Sequence, residues 1–165
     1  MKTLTLFVTA LISTSTLAQM PLPLYDSDNV VNPKLWKTAE PVMQAALECR
    51  KTINPADPAV RPLLHGNLGR WEIIPPNGFA VFGLPVQTIT ITIAISGTAY
   101  TAHYTASVAA PLGVVINAAN FNNQHTARVG DLLAQQGSKP SLTNITCTVS
   151  NSSNSRSQFT KELVI

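Results

Sequence analysis

Isoleucine alternates strictly with smaller residues over residues 88–95, placing Ile89, Ile91, Ile93 and Ile95 on one side and Thr88, Thr90, Thr92 and Ala94 on the other. Successive strand side chains point to opposite faces and β-branched residues suit the pleat, so this is a half-buried strand. Ser96-Gly97-Thr98 supplies a tight turn, after which residues 100–106 return with an alternation of their own. Whether the turn centres on Ser96-Gly97 or Gly97-Thr98, odd positions pair with even ones and the two faces are fixed. Tyr100, Ala102 and Tyr104 then meet the isoleucines on an inner face. Thr101, His103 and Thr105 join the threonines on an outer one.

The rest of the chain supplies elements to pack on this hairpin. Residues 19–37 carry prolines and aspartates without a sustained period and read as an extended N-terminal arm, within which Asn32-Pro33 offers a helical start. Thr38 is a suitable N-cap for a helix over residues 39–52, which keeps Pro41 in the first turn, where its missing N–H is harmless. At about 100° per residue, Val42, Ala45, Ala46, Cys49 and Ile53 share one stripe, while Gln44, Glu48 and Lys51 face away. Asp57-Pro58 begins a shorter second helix through Leu64. Residues 70–74 read as a strand, 75–78 as a turn, 79–82 as extended, and Gly83-Leu84-Pro85 as a bulge or bend. Ser107 caps a short helix over residues 108–112, and residues 114–120 suit strand or helix equally. Residues 128–134 suggest a further strand. Residues 142–150 alternate again, with Ile145, Cys147 and Val149 on one face, and 159–164 would return as an edge strand guarded by Lys161 and Glu162. The expectation is one α+β domain over residues 38–165, with an antiparallel sheet of about four to six strands and both helices packed on one face.

Export chemistry adds a covalent tie. Lys2, an apolar run over residues 4–12 and the small-residue site Thr16-Leu17-Ala18 form a secretory signal peptide over residues 1–18, too short to span a bilayer. No later run is long and apolar enough to cross one. The chain is therefore expected in a periplasm or outside the cell, where its two cysteines are most economically a disulfide. The stripe of the longer helix holds Cys49 and the apolar face of a strand holds Cys147. A helix laid on a sheet brings those surfaces together, predicting a Cys49–Cys147 bond.

Candidate chemistry is sparse. His65, His103 and His125 lack ligand spacing and no carboxylate lies near two of them, so no metal site is expected. No phosphate loop, dinucleotide fingerprint or nucleophile elbow occurs, so no cofactor is expected. The formal charge of +3 is scattered, which excludes the concentrated basic stripe that nucleic acid requires. Asn144-Ile145-Thr146 and Asn151-Ser152-Ser153 are glycosylation sequons.

One absence is more informative. Residues 73–127 contain no Asp, Glu, Lys or Arg. The outer face of the hairpin, Thr88, Thr90, Thr92, Thr101, His103 and Thr105, is thus polar yet neutral, and suited to dock a protein partner or a second copy of the chain. The chain reads as a small exported binding or inhibitory module without catalytic activity. The alternatives are a periplasmic or secreted hydrolase with a loop-built site, or a structural accessory subunit of an envelope assembly.

Overall fold

The computed structural model describes residues 24–26, 29–64, 69–97, 99–120 and 128–151. In chain order the elements are α1 (Pro33–Leu47), β1 (Arg70–Ile73), β2 (Ala80–Val81), β3 (Leu84–Ser96), β4 (Ala99–Val108), α2 (Leu112–Ala118), β5 (Asp131–Gln136) and β6 (Thr143–Asn151). All six strands are antiparallel, in the spatial order β1-β3-β4-β6-β5, with β2 paired to the start of β3. The α+β expectation holds, including the disulfide. The signal peptide and the strand over residues 159–164 lie outside the described residues.

β3 and β4 pair as the alternation requires. Ile89 meets Ala106, Ile91 meets Tyr104, Ile93 meets Ala102 and Ile95 meets Tyr100. Ser96 pairs with Ala99, so Gly97, at φ 60°, is the first of the two residues between them, a left-handed position that glycine adopts without steric cost. The interruption expected over Gly83-Leu84-Pro85, a bulge or bend, is present in two parts. Phe82 and Gly83, both left-handed at φ 54° and 75°, form the tight turn from β2 to β3, and the register shift falls between Val86 and Thr88.

The main helix starts earlier than residue 39. Asn32 caps it, its side-chain oxygen accepting the Lys34 N–H at 3.0 Å, and Pro33 takes the first helical position. Pro41 is therefore an interior residue, which removes one helical hydrogen bond at a cost of about 3 kcal/mol. Burial of Trp36, Ala39, Met43, Ala46 and Leu47 against the sheet offsets that loss. The stretch read as an arm joins the fold from Leu24 onward. Tyr25 bridges to Val31, Val30 bridges to Ile74, and the Val31 N–H reaches the Ile74 carbonyl at 3.0 Å.

The two shorter helices depart from expectation as well. Residues 58–64 form a run of turns led by Asp57, whose carboxylate accepts the Ala59 N–H, and not a helix. Val60, Leu63 and Leu64 from this run still reach the core. The expected helix over residues 108–112 is also shifted: β4 continues through Val108, and α2 begins at Leu112 behind Pro111. Proline disfavours helix at the residue before it and tolerates a helical start, which places the boundary there. α2 packs beside β5 and adds Val115 to the core.

Cys49 lies just past the helix instead of on its stripe. Glu48 is the C-cap, and Cys49 follows in a left-handed conformation at φ 60°. Its N–H reaches the Ala46 carbonyl and the Arg50 N–H reaches the Ala45 carbonyl, the paired bonds of a Schellman cap. Cys49 and Cys147 are joined across 98 residues with Cα atoms 5.3 Å apart, both fully buried.

Candidate functional site

The sheet has two unlike faces. The inner one, bearing Trp71, Ile91, Tyr104 and Cys147 in a single cross-strand row, lies under α1 and the segment that follows it. Tyr104 is buried, and its hydroxyl accepts the Ile53 N–H at 3.1 Å, pinning that segment down. The outer face has no helix or strand packed on it among the described residues.

Every residue of the expected face lies there. Thr88, Thr90, Thr92, Thr101, His103 and Thr105 are each half-buried by their neighbours on the pleat. The structure adds a third strand that sequence reasoning left out: Asn144, Thr146, Thr148 and Ser150 of β6 continue the face beside β4. Their signal was available, since the alternation that turns Ile145 and Cys147 inward turns these four outward. What could not be read was that β6, from the far end of the chain, would be the neighbour of β4. Asn144, the first sequon residue, therefore stands on this face between Ser107 and Gln135.

Two cross-strand rows define the surface. One runs Arg70, Thr92, His103, Thr148, Asp131, and the other Glu72, Thr90, Thr105, Thr146, Leu133. Formal charge is thus confined to the two outermost strands. Within the rows, His103 Nδ1 shares a hydrogen bond with Thr148 Oγ1 at 3.0 Å, and the Thr105 and Thr146 hydroxyls share another at 3.0 Å. These bonds hold the side chains in place and leave each hydroxyl further capacity toward a ligand.

A Thr–His pair invites comparison with an activated nucleophile. Such a pair needs a third group to orient the base and donors placed for an oxyanion. No carboxylate bonds to His103 among the described interactions, and the β4 backbone around it is paired with β3 on one side and β6 on the other. His65 and His125 lie outside the described residues. No cluster of three or more His, Cys, Asp or Glu side chains that could hold a metal occurs among the described residues.

Glu48, expected to face solvent, is enclosed. Its Oε1 accepts from Gln44 Nε2 at 3.1 Å and from the Phe82 N–H at 3.2 Å, and its Oε2 meets Arg50 at 2.7 Å. It ties the end of α1 to the β2–β3 turn and is fully occupied in doing so. A cavity of about 310 Å³ opens elsewhere, between α1 and the turn before β2, lined by Trp36, Lys37, Glu40 and Phe79 among others. Trp36 and Phe79 meet edge to face at 4.9 Å there. Its lining includes a carboxylate but no histidine.

No helix among the described residues is long and apolar enough to cross a membrane, which, with the disulfide, is compatible with export. Comparisons with protein-family models, with characterised proteins and with solved structures found no match to this chain.

Proposed function

We propose that the protein is an exported, non-catalytic binding module, periplasmic or secreted, that docks a protein partner through the outer face of its sheet. The observation that carries this reading is the three-strand field of Thr, Ser, Asn and His on β3, β4 and β6, uncharged and, among the described residues, with no helix or strand packed on it. Such a surface offers many hydrogen-bonding groups at low desolvation cost, because no ion has to be stripped of water. Its side chains sit on paired strands, and those of His103, Thr148, Thr105 and Thr146 are held by cross-strand hydrogen bonds, so less entropy is lost there when a partner arrives.

Charge placed at the centre of the face tests the reading. A Thr90→Lys, His103→Lys double variant puts two cations where the field is neutral, and a Lys37→Ala variant on the exposed surface of α1 serves as control. Each is immobilised and exposed to the exported fraction of the source cells. A partner retained by wild type and control but lost by the double variant, with circular dichroism unchanged, supports the proposal. Equal retention by all three removes it.

A further inference from the structure

The two edges of the sheet are not equally protected. Edge strands template unwanted pairing unless they are short, charged, bulged or covered. β1 is four residues long, turns Arg70 and Glu72 outward, and has the bridge from Val30 at its end. β5 has α2 packed against it but little else of this. Its sequence, DLLAQQ, pairs with β6 over all six residues without a register shift, contains no lysine, arginine or proline, and carries one formal charge, on Asp131. Its opposite side bonds to no strand among the described residues.

Exposed apolar surface gathers at the same edge. Leu133 on β5 is 52% exposed, Val129 leads into the strand, and Val114 and Ile116 lie on α2, the helix packed beside it. These are four of the five large exposed hydrophobic residues among those described; the fifth, Ile95, lies near the hairpin tip.

We infer that β5 pairs antiparallel with β5 of a second copy about a two-fold axis normal to the sheet. Residues opposite each other across an antiparallel pair share a face, so a two-fold at Leu133 sets that residue against its twin on the outer face. Asp131 then meets Gln135, and Leu132 meets Ala134 on the inner side. The only charged residue of the strand is off-centre, so self-pairing brings no carboxylate against its symmetry mate. Apolar side chains meet apolar ones, and the outward backbone groups gain partners by strand addition. The result is one continuous sheet of twelve strands, twice the six observed, with the two threonine faces side by side. This pairing concerns the edge and stands whether or not the outer face binds a partner.

The test is sedimentation equilibrium of the oxidised protein, alone and as Leu133→Lys, with Leu133→Cys and Gln135→Cys treated with copper–phenanthroline. Opposed Cα atoms in an antiparallel pair are about 4.5–5.5 Å apart, within disulfide reach. The expected results are a wild-type dimer, association at least tenfold weaker in Leu133→Lys with unchanged circular dichroism, and a cross-linked dimer from Leu133→Cys but not from Gln135→Cys. A wild-type monomer throughout, a dimer indifferent to Leu133→Lys, or a dimer in which Leu133→Cys does not cross-link would each overturn the inference. The Thr90→Lys, His103→Lys variant remains dimeric in this scheme. Loss of partner binding there, with dimerisation intact or absent in the wild type, keeps the two proposals separable.

Discussion

Ile91 and Ile95 stand on the same side of the same strand, one turn of the alternation apart from neighbours of identical type, yet Ile91 is fully buried and Ile95 is 59% exposed. Their rows explain it. Ile91 lies between Trp71 and Tyr104, with Cys147 beyond, under α1 and the segment that Tyr104 pins. Ile95 lies beyond the end of β1, whose last pair joins Arg70 to Thr92, and has Tyr100 as its partner on β4. Alternation selects the side of a strand; the reach of the covering layer decides whether that side is dry.

The largest test of this contrast removes the bond that anchors the cover to the root of the ribbon. Replacing Cys49 and Cys147 together by alanine is expected to lower stability by about 2–5 kcal/mol, read from urea midpoints at constant slope. A change below the error of the extrapolation would mean that packing alone holds the cover in place. A paired comparison is next in size. Ile91→Ala is expected to cost about 2–5 kcal/mol, whereas Ile95→Ala should stay within about 0.5 kcal/mol, the usual range for surface positions. Equal losses at the two sites would erase the distinction between root and tip.

The smallest effect belongs to Tyr100, between the two regimes. Burial, then its hydrogen bond with Tyr104, then charge repulsion from that phenol raise the Tyr100 hydroxyl well above the ordinary value of 10.0. A group raised in the folded state contributes stability that is intact below its unfolded pKa and lost as pH rises beyond it. Stability should therefore decline above about pH 10, and Tyr100→Phe should shallow that decline while changing little at neutral pH. Parallel declines in both proteins would show that Tyr100 ionises freely.

The same contrast describes what the chain made legible. The faces of β3 and β4 followed from alternation alone, because a pleat allows no other assignment once the register parity is set. The disulfide followed too, although Cys49 reaches Cys147 from a left-handed cap and not from the helical stripe; the inward direction survives because that cap directly follows the buried end of α1, Ala45 to Leu47. Three features escaped. The early start at Asn32 required knowing that Trp36 would be buried, which outweighs an interior Pro41. The shift to α2 of the short helix expected over residues 108–112 depended on β4 remaining paired through Val108, a tertiary fact. The enclosure of Glu48 depended on Phe82 presenting its N–H from a turn 34 residues away. The outer face was half legible: its β3 and β4 members were in one local ribbon, while β6 joined it by long-range pairing.

That long-range pairing also orders events in time. β6 is the last described strand along the chain, yet it sits between β4 and β5. While a nascent polypeptide is still emerging amino end first, β5 has no place to dock and the sulfur of Cys49 has no mate. Among the described strands, the sheet closes only when β6 enters between β4 and β5, a long-range contact of the kind that slows folding. Oxidation is then a clock: the moment the two sulfurs join marks the arrival of the keystone strand.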